Sequence, residues 1–252
     1  MIPERSKKTS MTAANTLPPE ARELAAQHHL GALQGSFTPK PIGKGLVALH
    51  LFATVNLLAM FVIPGLLYYW WLSRLPNFSR RQAAKRLHLF EHGLIVHPQF
   101  GDGIVALRWE SVRLYQNITQ TFINGVPGPT TYTYSAVGPG RTSATITEFY
   151  DGPQTWGPWM QNAVVRAQGQ AALEAVLEGG TVNFGSFTLS RTGLGARAKG
   201  QLPWSHVQEC RVTAGRVHVM RTGAATPWSS DPVGDVANLH LFLTLAANLA
   251  PE

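Results

Sequence analysis

Hydrophobic positions in this chain follow three rules in succession. From Gly45 to Ser73 they are nearly continuous, GLVALHLFATVNLLAMFVIPGLLYYWWLS, with no charged residue. A bilayer core takes about 20 apolar residues in a helix, so the run predicts a transmembrane helix over 45–73. Pro64-Gly65 predicts a kink, because proline removes a backbone donor and crowds the preceding turn. A re-entrant hairpin turning at Pro64-Gly65 is the alternative, but at a rise of about 1.5 Å per residue too few residues follow Gly65 to cross back. The run starts only at Gly45 and ends in aromatics rather than small residues, unlike a secretory signal peptide.

After residue 86 the period becomes two. Leu87 to Phe90 and Leu94 to His97 read as strands on either side of a turn at Gly93, followed by a strand from Ile104 to Trp109. Val112, Leu114, Ile118 and Phe122 share one parity and therefore one face, interrupted by Gln116 and Gln120. Asn124-Gly125 predicts a hairpin turn, since both residues tolerate positive φ, and Thr131 to Ser135 returns. A further strand runs from Ser143 to Phe149. From Gln154 to Glu178 the period is 3.6, with Trp156, Met160, Val164 and Ala167 on one face and Gly179-Gly180 as the stop. Strand signals then resume at Val182 to Ser190, Leu194 to Arg197, Val207 to Thr213 and Arg216 to Arg221, and Asp231 is positioned to cap a last helix.

Strands followed by a closing helix thus occur twice, and a phrase recurs with them. Gly93-Leu94 precedes Leu107, Trp109 and Val112; Gly193-Leu194 precedes Leu202, Trp204 and Val207. These are turn and core residue types, so the recurrence reads as architecture, with recognition expected where the copies differ, above all in NITQTFINGVPGPTTYTY. LFEHGLIV, RWESV, YQNIT and VNFGSFTLSRTGL with LPWSHV resemble an uncharacterised bacterial family of membrane-anchored proteins with pleckstrin-homology-like domains. The resemblance covers most of 87–250. It implies a partly open barrel capped by a C-terminal helix, present twice, the second copy shorter, and it carries over no functional residues.

The expected organisation is therefore α+β. A polar segment, 1–44, is largely disordered, above all over 1–16, with a short helix near Pro18-Pro19. The transmembrane helix follows at 45–73, and a basic linker at 74–86. Two small β-rich pleckstrin-homology-like domains, 87–179 and 180–252, are each closed by a helix.

Charge changes the picture in one respect. The formal +7 and pI near 9.9 would suggest nucleic acid. Divided along the chain, residues 1–44 carry +3, residues 45–86 carry +5 and residues 87–252 carry −1. The folded part supplies none of the excess, so nucleic acid is not an expected partner. The basic residues Arg74, Arg80, Arg81, Lys85 and Arg86, beside Tyr68, Tyr69, Trp70 and Trp71, instead read as a membrane interface facing anionic lipid headgroups. The excess of basic flank after the run predicts a single-pass protein of the cell membrane with cytoplasmic C-terminal domains. One cysteine, Cys210, excludes an internal disulfide.

Chemistry-bearing patterns are weak. His28-His29 lacks a third ligand at metal spacing. Ser205-His206 would point to opposite faces of a strand. Cys210 shares parity with Val212 and reads as a small buried residue. GLGARAKG has neither dinucleotide-loop nor P-loop spacing. The acids Glu91, Asp102, Glu110, Glu148 and Asp151 read as a solvated rim, and Trp156 and Trp159 as a seal on the sheet. Asn77 and Asn117 match a glycosylation pattern that a cytoplasmic placement would leave unused. Asn56 and His50 are polar within the apolar run, and Asn56 is a candidate contact to a partner helix. No catalytic, metal or cofactor residues are expected. The sequence thus points to a membrane-anchored, non-enzymatic binding or scaffolding protein with an unknown protein partner. An accessory subunit of a membrane complex, or an enzyme with a site assembled from scattered loops, are the alternatives.

Overall fold

The computed structural model describes residues 17–250 except Asp102. Residues 1–16, where disorder is expected, lie outside this range. Among the described residues the protein is mixed α/β, with four antiparallel sheets and six α-helices. The helices are α1 (Pro19–Gln27), α2 (Lys44–Met60), α3 (Val62–Leu72), α4 (Arg80–Ala84), α5 (Pro153–Leu177) and α6 (Leu239–Leu249).

The strands fall into two units of one design. In the first, β1 (Leu33–Phe37), β2 (Leu87–Phe90), β3 (Gly93–Val96) and β4 (Val105–Arg108) form a meander. A second sheet follows from β5 (Arg113–Ile123), β6 (Val126–Val137) and β7 (Ser143–Thr147), and α5 closes the unit. In the second unit β8 (Thr181–Asn183), β9 (Phe187–Ser190), β10 (Gly193–Ala196) and β11 (Gly200–Pro203) form the meander. The three-stranded sheet is β12 (Val207–Thr213), β13 (Arg216–Arg221) and β14 (Pro227–Pro232), and α6 closes it.

The recurring phrase has the same geometry in both units. Leu94 pairs with Leu107 across β3 and β4, and Leu194 with Leu202 across β10 and β11. The Trp109 indole N–H donates to the Phe90 carbonyl at 3.0 Å, and the Trp204 indole N–H to the Ser190 carbonyl at 2.9 Å. Each tryptophan therefore satisfies the last carbonyl of the strand before the turn while its ring covers the end of the sheet. The glycine has a different reason from the one its turn position suggests. Neither Gly93 nor Gly193 has positive φ. A Cβ on Gly93 would stand 2.3 Å from the Leu107 carbonyl oxygen, and one on Gly193 2.2 Å from that of Leu202. The neighbouring strand crosses where a side chain would be.

Both units share a continuous core. Helix α5 lies between them, with Trp156, Met160 and Val164 fully buried. Asn238, just before α6, fastens the junction. Its Oδ1 accepts from the Leu114 N–H at 2.7 Å, and its Nδ2 donates to Gln168 Oε1 at 3.0 Å and to the Val112 carbonyl at 3.2 Å. Gln168 in turn donates to the Trp109 and Val112 carbonyls. On the outer face of the first sheet a smaller cluster, Ala21, Leu30, Leu33, Phe90 and Ile95, is covered by α1. Being covered on both faces, β2 and β3 are buried at every position, which accounts for their unbroken apolar runs.

Several expectations are corrected. The span expected over 45–73 is not one helix. At Phe61 the backbone is extended, φ −145° and ψ 95°, which ends α2 and starts α3. Arms of 17 and 11 residues reach about 25 and 16 Å against a hydrocarbon core of about 30 Å. Among the described residues no helix is long and apolar enough to cross a membrane. The transmembrane helix, the single-pass description and the placement in the cell membrane are withdrawn, and with them the inferred orientation. The break lies at Phe61, not at Pro64-Gly65; Pro64 sits in the first turn of α3, where a missing N–H costs little. The first sheet also begins before residue 87, because Leu33–Phe37 pairs with Leu87–Phe90 across the whole apolar segment. The second unit has its own β12–β13 hairpin, shorter than β5–β6. Asp231 lies in β14, paired with Val217, rather than capping a helix.

Candidate functional site

Two surfaces stand out from the folded body. One is the apolar hairpin formed by α2 and α3, inserted between β1 and β2. Its neck is clamped: Asn77 Oδ1 accepts from the Ile42 N–H at 2.7 Å, and Asn77 Nδ2 donates to the Ile42 carbonyl at 3.2 Å. The arms cross most closely at Gly65, where a Cβ would lie 2.7 Å from Leu58 N. Glycine is required there by proximity. Nearer the neck, His50 Nδ1 and the Tyr68 hydroxyl are 2.6 Å apart, and Trp71 stacks on Tyr68 at 5.7 Å. The remaining polar side chains turn inward on their own helix. Thr54 donates to the His50 carbonyl at 2.7 Å and Asn56 to the Phe52 carbonyl at 2.8 Å.

Apart from this seam the hairpin is bare. Fifteen of the twenty-one large hydrophobic side chains exposed among the described residues lie between Leu46 and Trp71. At about 100° per residue, Leu46, Leu49, Leu51, Phe52, Val55 and Leu58 spread over most of the circumference of α2. The tip residues are the most open, with Met60 and Ile63 both 73% exposed.

The expected interface residues divide. Tyr69, Trp70 and Trp71 are exposed, and the Arg74 guanidinium sits 3.7 Å above the Trp70 ring, a cation–π contact. Arg80 and Arg81 are exposed on α4. Tyr68 is half-buried against His50. Lys85 is not at the surface: it is 7% exposed, and its ammonium donates to the carbonyls of Pro98, Gln99 and Gly101 at 2.7, 2.9 and 2.9 Å. Arg86 is half-buried and donates to the Ala83 and Lys85 carbonyls. Asn56 Nδ2 donates to the Phe52 carbonyl of its own helix.

The second surface is the β5–β6 ribbon. Strand β7 pairs only with Thr133 to Val137, so the distal part is two-stranded. Asn124 and Gly125 turn it, with φ of 51° and 79°. Ile118, Phe122 and Val126 are exposed at 42, 61 and 64%, at the place where the two units differ most.

Residues with possible chemistry are dispersed. Ser205 and His206 are exposed in a single 3₁₀ turn. Burial, with Glu209 beside it, pushes the Cys210 thiol up to about 12, so it stays protonated. Trp156 is fully buried and Trp159 packs edge-on against Trp109. Among the described residues no three His, Cys, Asp or Glu side chains gather as metal ligands. A cavity of about 500 Å³ is an open groove on the second meander lined by Thr188, Ser190, Arg197 and Gln201. The Lys85 carbonyl cage, the Ile42–Asn77 clamp and the buried His88 were not legible in sequence, because each depends on contacts between distant segments.

The fold and its surfaces define a class: a two-unit α/β protein, built of repeated meander, three-stranded sheet and helix, with an apolar helical hairpin inserted in its first unit. The chain belongs to a family of unknown function (DUF6585), which matches residues 11–250. No curated protein and no solved structure matches it.

Proposed function

We propose that the protein is a non-enzymatic binding or scaffolding module, whose two units are pleckstrin-homology-like and whose β5–β6 ribbon receives a protein partner. The unit design supports the first part: four strands, then three, then a closing helix, in that order, twice. The observation that carries the second is the apolar distal ribbon. The recurring Leu, Trp and Val side chains lie in the shared core, whereas the ribbon extends past its third strand and exposes Ile118, Phe122 and Val126. Exposed apolar side chains on a fixed two-stranded support suit the anchor positions of an interface, where aromatics are enriched.

A photo-crosslinking residue placed at Phe122 in the full chain, in cells, tests this. A discrete protein adduct is expected at position 122 and not at the exposed Leu177 on α5. Equal labelling at both positions, or none at 122, would overturn the assignment of the ribbon.

A further inference from the structure

We propose that the α2–α3 hairpin dips into one leaflet of an anionic lipid bilayer and returns to the same side. The Ile42–Asn77 clamp brings the two ends of the excursion together, so both arms leave from one point of the folded body. The 11-residue arm reaches about 16 Å from the tip, close to half of a hydrocarbon core of about 30 Å, and the 17-residue arm, about 25 Å long, then leans or emerges at its Lys44 end. The depth of the shorter arm suits one leaflet and falls well short of two.

Three features select lipid as the occupant over a second copy of the chain. Helix α2 is apolar over most of its circumference, and a protein surface would cover one side of it whereas acyl chains surround it. The hairpin's polar side chains find partners within it: His50 pairs with Tyr68, Thr54 donates on its own helix, and Asn56 places one of its N–H donors there, which lowers the cost of a hydrocarbon environment. At the neck the chemistry changes to that of an interface. Tyr69, Trp70 and Trp71 stand beside Arg74, with Lys40, Lys44, Arg80 and Arg81 nearby in sequence, and no acidic residue occurs from Gly45 to Arg86. Aromatic rings belong at the headgroup level, and basic side chains there are drawn to anionic lipid. The tip, Met60 to Ile63, is then the deepest point.

Flotation of the full chain with sealed vesicles tests the proposal. Vesicles of phosphatidylcholine with phosphatidylserine should carry the protein up, and phosphatidylcholine alone should carry at least about tenfold less. F61D and I63D, at positions 58 and 73% exposed, should abolish flotation while leaving the circular dichroism spectrum unchanged. R80E/R81E should lower binding at least about thirtyfold and weaken its salt dependence. Trypsin outside the vesicles should cut both at Lys44 and at Arg74, since both flanks stay on one side; the Lys40–Pro41 bond resists it. Absence of flotation with either vesicle, flotation indifferent to F61D and I63D, or protection of one flank from trypsin would each overturn the proposal. So would a lipid-free dimer that the tip substitutions dissociate, in a protein that does not float.

Discussion

His88 makes the first unit sensitive to acid. It lies in the central strand β2, paired with Ser36 and Ile95, and is 3% exposed. Neither ring nitrogen has a hydrogen-bond partner. Burial, with His97 and Arg86 adding positive charge nearby, lowers its pKa from 6.5 to about 4. Above pH 6.5 the ring is neutral in both folded and unfolded chains and contributes no pH dependence. Between 6.5 and 4 the unfolded chain takes up a proton that the folded one refuses, so stability falls with pH; below 4 this loss is complete. At about 1.4 kcal/mol per tenfold difference in proton affinity, the whole loss is about 3 kcal/mol, most of it present by pH 4.5. His88→Leu removes the titrating group and also two unpaired buried nitrogens, worth about 1 kcal/mol at neutral pH. Urea unfolding of both proteins at pH 7.5 and 4.5 should show the variant about 1 kcal/mol more stable at the higher pH and about 4 kcal/mol more stable at the lower. The remaining histidines are common to both proteins, so their difference isolates His88. Parallel pH profiles would refute the reasoning.

The recurring phrase makes paired predictions. Gly93→Ala and Gly193→Ala should each lower stability by about 3 kcal/mol or prevent folding, because the added carbon meets a strand carbonyl; thermal melts would check this, and a neutral effect in both would show that the strands can part. Trp109→Phe and Trp204→Phe each leave a strand-end carbonyl unpaired and should cost about 1–3 kcal/mol, read from chemical denaturation. Asn238 has φ of 50°, so Asn238→Gly keeps the backbone at ease but strips the junction of its side-chain bonds, for a loss of about 2 kcal/mol; Asn238→Ala should lose about 1 kcal/mol more. Cys210, with its thiol held protonated, should react with iodoacetamide at pH 8 far more slowly in the folded chain than in urea.

What was legible in the sequence was legible through period and position. Alternation marks β5 to β7, short apolar runs mark β2 to β4, the 3.6 period marks α5, and the spacing of Gly, Leu and Trp marks the second meander. The hairpin break was misread because the obvious breaker, Pro64-Gly65, is compatible with the first turn of a helix, whereas Phe61 carries no local signal. Its extended backbone follows from the arms folding back at Gly65 and Leu58. Strand β1 falls within the segment expected to be largely disordered, because Gly35, Pro39 and Pro41 give it no strand signal and its partner lies beyond the apolar run. Lys85 looked like one more basic residue at a surface; only the carbonyls of 98–101 reveal it as buried. The final strand was missed because Pro227 and Pro232 bound it. Both prolines sit at the ends of an edge strand, where the missing donor is tolerated.

The place of the hairpin in the chain also sets an order of assembly. Between Phe37 and Leu87 lie 49 residues, whereas only three separate Asn183 from Phe187. Closing a loop costs roughly (3/2)RT ln n, so joining β1 to β2 is dearer by about 2.5 kcal/mol than joining β8 to β9. The second meander is made of local contacts and should form quickly, while β1 adds to the first only after the long excursion has closed. Strand β1, which precedes the excursion, is thus among the last to settle, and the edge of β2 stays open to other pairing until it does.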